Sequence, residues 1–246
     1  MEHKTTKIQP THRNSLAKPA LINGHLFPAG SQLCPNNLIN TKRFGDIWAP
    51  SIDPTTWYLN LSEKLIPTAE ELRKNLFEKN KFIAPDTGNE NWIVDHKNYS
   101  KFIQNTTSII IFLYTTLEAF SNQIIPIRKE YRIQTNRRNS HKPEFFESKQ
   151  KVMRYLSLED KLVWLAKELL YSDIKQQKFW GSFKNLTTLR NDLVHIKTML
   201  SNAVDTHLDL YSQLIDADLK DLLLTTKNII TFFRPDFFDN QSDFFE

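Results

Sequence analysis

Apolar residues fall on a helical period through most of the chain after residue 53. Asp53-Pro54 reads as an N-cap followed by a proline in the first turn, so a helix is predicted to begin there. Pro67-Thr68-Ala69-Glu70-Glu71 reads as the start of a second, with its acids where the helix dipole favours them. A break rich in Pro, Gly and Asn follows at 83–91. From Tyr99 to Ile125 there is neither Gly nor Pro, and Phe102, Ile109, Phe112, Leu113, Leu117, Phe120 and Ile124 recur at helical spacing. Pro126 ends or kinks that helix. Residues 127–143 are polar and basic. A helix over 156–170 starts at a capping-box-like Ser157-x-x-Asp160 and puts Leu162, Leu165 and Leu169 on one face. A further helix over 179–200 carries Leu186, Leu189, Leu193 and Ile196, and one or two more run from Asp205 to Phe233, where Pro235 stops them. Trp164 and Trp180 stand at core spacing.

Residues 1–50 lack this pattern. They hold five of the eleven prolines and three of the five glycines, and read as irregular. Leu21–Phe27 is an exception, because Asn23-Gly24 suits the tight turn of a small hairpin. The expected organisation is an irregular extension over 1–52, a helical addition over 53–92, a helical domain over 93–235 and a Phe-rich tail over 236–246. No internal repeat is visible. The tail packs on the helices or docks on a partner.

Composition narrows the function. With 40% hydrophobic and 24% charged residues, the chain is an ordinary globular protein. Its few glycines form no loop able to cradle a nucleotide phosphate. Cys34 has no internal disulfide partner, and no Cys/His set has metal-ligand spacing, so neither metal nor cofactor is expected. The polar N-terminus has no apolar signal core, and the most apolar run, Ile109 to Tyr114, is too short to span a bilayer. A cytoplasmic protein without a membrane partner is the expectation. Net charge is +4, which permits a polyanionic partner without demanding one.

One stretch carries chemistry: Leu189-Arg190-Asn191-Asp192-Leu193-Val194-His195-Ile196-Lys197. On a helix, Asn191 and His195 share a face. Arg190 and His195 lie about 140° and about 7.5 Å apart, so they flank a face rather than stack. The residue types suit a phosphodiester. Guanidinium binds phosphate oxygens bidentately, and imidazole exchanges a proton near neutral pH. RNA supplies its own nucleophile in the 2′-hydroxyl. The spacing alone is not specific.

Arg190-Asn191-Asp192-Leu193-Val194-His195 resembles the signature of the HEPN superfamily (higher eukaryotes and prokaryotes nucleotide-binding domain), an Arg, a polar residue, and a His a few positions on. Phe179-Trp180, Leu186 and Leu189 precede it as the usual apolar lead-in; 116–125 is similar to the family's earlier core helix and 156–170 to its middle helix. The match covers roughly 95–235. The resemblance implies an all-α fold, an up-and-down bundle of four to five helices, pairing as a two-fold homodimer with an Arg/His set from each copy near one cleft. It implies a metal-independent endoribonuclease, a toxin or antiphage effector, in which His195 moves protons, Arg190 binds phosphate and Asn191 orients His195 or the substrate. A non-catalytic module binding RNA, nucleotide or protein in the same cleft is the alternative, and a plain helical scaffold the third. Toxins of this family paired with a nucleotidyltransferase antitoxin often have a Tyr two residues after the His. Lys197 stands there, which weakens that pairing but leaves another regulatory protein open. Lys197 adds a phosphate contact or is simply solvated.

Two further features bear on RNA. Residues 128–142 hold Arg128, Lys129, Arg132, Arg137, Arg138 and Lys142 against Glu130. They form an RNA-backbone contact or an exposed polar loop. Glu118, in an otherwise apolar helix, either reaches the site and bonds Arg190 or makes a structural salt bridge.

Overall fold

The helical period yields seven α-helices among the described residues of the computed structural model, which are 20–22, 25–27, 36–50, 53–78, 81–83, 90–92, 95–134, 144–194 and 203–238. The chain folds as two compact units, Met1–Asp53 and Pro54–Glu246.

The first unit holds two antiparallel strand pairs where an irregular extension was expected. Strand β1 (Ala20–Ile22) pairs with β2 (His25–Phe27) in the register Ile22↔His25, so the hairpin anticipated around Asn23-Gly24 is present. Strand β3 (Asn36–Thr41) pairs with β4 (Gly45–Pro50). Gly45 has φ +70°, a left-handed conformation that costs a glycine little. Thr41 Oγ1 closes that turn, accepting from Phe44 N and donating to Gly45 O, each at 3.0 Å. The strands are short and their apolar residues stand side by side, as in Leu21-Ile22 and Leu38-Ile39, so they give no run of alternation for a sequence reading to find.

In the second unit, α1 (Pro54–Arg73) is one helix and not two. Pro67 lies inside it and deprives the Glu63 carbonyl of its donor. Leu59, Ile66 and Ala69 are buried on either side of it, and burial of that continuous face outweighs the lost hydrogen bond. A π-helical turn, Lys74–Glu78, extends the helix. Around the break at 83–91, β5 (Lys81–Ile83) pairs with β6 (Glu90–Trp92).

Helix α2 (His96–Ile124) is the centre of the unit. It opens at Asp95, whose carboxylate accepts from Lys97 N and Asn98 N, and ends just before Pro126. Helix α1 lies against it, as do α4 (Leu158–Leu170), α5 (Trp180–Val194), α6 (Ala203–Asp216) and α7 (Leu219–Phe233). Its apolar stripe of Phe102, Ile109, Leu113, Leu117 and Phe120 is fully buried. Of the predicted α4 stripe, Leu162 and Leu165 are buried, whereas Leu169 is 39% exposed near the helix end. Phe237 of the tail stacks edge-on against Phe120, at 5.8 Å between ring centroids, so the first DFF packs on the helices.

The basic segment after Pro126 is not simply a solvated loop. Strand β7 (Tyr131–Ile133) pairs with β8 (Glu144–Phe146) and leads into a short α3 (Lys149–Tyr155). Tyr131 and Ile133 point inward and Arg132 outward. A second small core forms beneath, from Ile125, Tyr131, Ile133, Phe146, Val152, Leu156, Trp164 and Leu165. Tyr131 Oη anchors the turn, donating to Pro126 O at 2.7 Å and accepting from Arg128 N at 3.0 Å.

Basic side chains close helix C-termini in this unit. Arg73 donates to the Ile215 and Ala217 carbonyls at the end of α6, Lys149 to the Gln123 and Ile125 carbonyls at the end of α2, and Lys161 to Met153 O in α3. Among the described residues no helix is long and apolar enough to cross a membrane.

Candidate functional site

Leu189 to Val194 of the motif form the C-terminal end of α5. Leu186 and Leu189 are buried and Leu193 packs on the core beside them, so the apolar stripe expected from the sequence is present up to Val194. His195, Ile196 and Lys197 lie outside the described residues, as do Arg137 and Arg138.

Burial of Leu189 places Arg190 at the border between core and solvent. Its guanidinium does not lie free. Nη1 donates to Asn191 Oδ1 at 3.1 Å, and Cζ stands 4.7 Å from the centroid of the Tyr114 ring. Tyr114 comes from the middle of α2 and is only 8% exposed. Guanidinium over an aromatic face is held by the ring quadrupole, more strongly where water is excluded. Burial raises the Tyr114 phenol above its ordinary value, and the neighbouring carboxylates of Glu118 and Glu159 raise it further, against a lowering by Arg190. The phenol therefore stays protonated at neutral pH.

Glu118 does not reach Arg190 as an ion pair. It lies one turn along α2 from Tyr114 and acts electrostatically on Tyr114 and on Lys161 of α4. Lys161 is 1% exposed, and its Nζ donates to Asn122 Oδ1 and Met153 O, both at 2.9 Å. Burial lowers its pKa and Glu118 opposes the lowering. Lys184 of α5 bonds Glu159 of α4 at 2.6 Å. A polar seam thus runs along α2, from Tyr114 through Glu118 to Asn122, with Arg190 at one end and Lys161 at the other.

The basic candidates on the β7–β8 side are already engaged. Arg128 forms an ion pair with Glu168, and Arg132 stacks on Phe145 across the strand pair, 4.7 Å from its centroid. Both side chains remain exposed, so each still offers donors to solvent. Among the described residues no three His, Cys, Asp or Glu side chains gather as a metal site.

Two residues of the seam were not singled out in the sequence. Tyr114 closes the apolar run 109–114 and resembles plain core; its spacing of four from Glu118 was the available signal. Lys161 sits among the charged residues of 159–161 and reads as solvated. Comparison with models of known families, with curated proteins and with solved structures found no match.

The arrangement is suited to holding an anion. Arginine has five N–H donors in a rigid fork. One donor is taken by Asn191, Cζ stands over the Tyr114 ring, and the side chain is only partly buried.

Proposed function

We propose that the chain is a metal-independent endoribonuclease of HEPN type, acting as a homodimer whose RNA target meets Arg190 and His195. The observation that carries this reading is the held guanidinium of Arg190, stacked on Tyr114 and bonded to Asn191, five positions before His195 in an RNDLVH sequence. In the reaction the RNA 2′-oxygen attacks the adjacent phosphorus and loses its proton. The P–O5′ bond breaks, a proton goes to O5′, and a 2′,3′-cyclic phosphate remains. His195 moves protons, Arg190 neutralises the crowded phosphorane, and Asn191 fixes Arg190 rather than acting on its own. Arg128 and Arg132 contribute phosphate contacts from their exposed donors, and an antitoxin or other regulatory protein restrains the activity in the cell.

Total RNA incubated with the protein in EDTA tests this. Wild type is expected to cleave and leave cyclic phosphate ends, and His195→Ala and Arg190→Ala to lose at least about 100-fold in rate, the usual lower range for removing a proton-transfer group or a donor to the developing charge. Intact RNA from a folded wild type, or equal cleavage by all three, would sink the reading. One observation favours a second reading, a binding module without catalysis. Arg190 is already engaged by Tyr114 and Asn191, which suits a fixed anion contact as well as a catalytic one. RNA binding that depends on Arg190 without cleavage would select it.

A further inference from the structure

We infer that Tyr114 is a positioning residue, a rigid platform that holds the Arg190 guanidinium in the orientation that receives an RNA phosphate. The inference rests on the reading of Arg190 as a phosphate contact and names the group that makes the contact effective.

Arginine is a poor ligand when unconstrained, because binding freezes a long and flexible side chain. Here that freezing has already happened. The ring under Arg190 belongs to a residue deep within a 29-residue helix, far from either fraying end. Its helix neighbours Leu113 and Leu117 have no exposed surface, and Tyr114 itself is nearly enclosed. The platform cannot shift without disturbing the central helix. The ring holds the guanidinium from one side, with Cζ 4.7 Å from its centroid. Asn191 takes an in-plane donor on one edge. An incoming phosphate meets the donors that Asn191 does not take, from the solvent side of a partly exposed side chain, and arginine binds such anions bidentately. Glu118, one turn away, makes no ion pair with Arg190 that would occupy those donors. Two observations point the same way, the stack and the amide clamp, and they come from different helices.

The ring, not the hydroxyl, does the holding, and that yields a discriminating experiment. A short single-stranded oligoribonucleotide with 2′-O-methyl groups throughout cannot be cleaved through its 2′-oxygen. Its affinity for the full chain is measured by fluorescence anisotropy at fixed salt. Arg190→Ala is expected to weaken binding about tenfold, and Tyr114→Leu to weaken it nearly as much, in the range of a partly desolvated cation–π contact. Tyr114→Phe is expected to bind within about twofold of wild type, since the face is retained. The double variant Arg190→Ala/Tyr114→Leu should bind no more weakly than Arg190→Ala alone, because both changes remove one contact. Far-UV circular dichroism checks that each variant folds, and Tyr114→Met replaces Tyr114→Leu if the latter does not. Wild-type affinity in Tyr114→Leu alongside a weakened Arg190→Ala overturns the platform while leaving the phosphate contact standing. Additive losses in the double variant, or an equal loss in Tyr114→Phe, also overturn it. Undiminished binding by Arg190→Ala, or no binding by wild type, overturns the underlying reading and the platform with it.

Discussion

At the scale of single residues, Lys161 sets the most specific constraint. A lysine with almost no exposure is tolerable only with its ammonium protons satisfied, and Asn122 and Met153 accept from it. Lys161→Met keeps the stem volume but strands both acceptors. Each stranded acceptor costs about 1–3 kcal/mol, offset in part by no longer burying a charge, so a net loss of roughly 1–3 kcal/mol is expected in urea unfolding. The loss should vary with pH. Burial lowers the folded-state pKa of Lys161 below its ordinary 10.5, so between the folded and unfolded values the unfolded chain binds more protons. Wild type therefore gains stability as pH rises through that window, the variant does not, and the gap between them widens. Tyr114, whose phenol is pushed up, titrates in both chains and drops out of the difference. A gap that narrows toward alkaline pH would mean that the fold favours the Lys161 ammonium over the free amine, opposite to a lowered pKa, and would sink this account. Neither Lys161 nor Tyr114 was legible as a special residue. A lysine beside two acids in a helical pattern has the signature of a solvated face, and a tyrosine at the end of an apolar run has that of core. What distinguishes them is the neighbouring helix, and local pattern does not carry that. Arg190 and Asn191 were legible because the chemistry of their types and their short spacing are local.

At the scale of elements, the helices were readable where burial and local signals agree. Ser157, read as the start of a helix, accepts from Asp160 N, and the helix after it carries a regular apolar stripe; Asp95 and Asp218 cap α2 and α7 in the same way but were not read from the sequence. The reading failed where tertiary burial overrides a local signal. Pro67 looks like a helix start, yet α1 runs through it because Ile66 and Ala69 are needed on the face toward α2. It failed again at 131–133, where three alternating residues are too few to outweigh a basic surrounding, although Tyr131-Arg132-Ile133 has the period of a strand with one buried face. The proline makes a quantitative case. A helix-interior Pro costs about 3 kcal/mol, and restricting the unfolded chain returns up to about 1 kcal/mol. Pro67→Ala is therefore expected to stabilise the protein by about 2 kcal/mol, seen as a higher urea midpoint at unchanged m-value. Pro67 is exposed, so the change opens no cavity. A midpoint that stays or falls would mean that the proline bends α1 into the shape its packing needs.

At the scale of the whole molecule, the division at Asp53 separates two kinds of stabilisation. Among the described residues, both hydrophobic clusters lie in the second unit, from Leu59 to Ile230. The first unit contains strand pairs, and the described residues of its β3–β4 hairpin include Ile39, Phe44 and Ile47, all exposed. Two-stranded hairpins with exposed apolar residues are marginal by themselves, whereas a long central helix with five others packed on it is not. The second unit should therefore fold alone. Residues 53–246, retaining the Asp53-Pro54 start of α1, are expected to give the helical circular dichroism of the full chain. The thermal midpoint should stay within about 3 °C of it, a shift that corresponds to roughly 1 kcal/mol for a unit of this size. A drop of more than about 10 °C would mean that the N-terminal hairpins contribute several kcal/mol to the helical core. The same protein separates two roles for the N-terminal unit. Arg190 and Tyr114 both lie in residues 53–246, so anion binding at their site should survive the truncation. If the truncated chain keeps its midpoint but loses affinity for the 2′-O-methyl oligoribonucleotide, residues 1–52 hold the RNA. If it keeps both, the helical unit binds RNA without them.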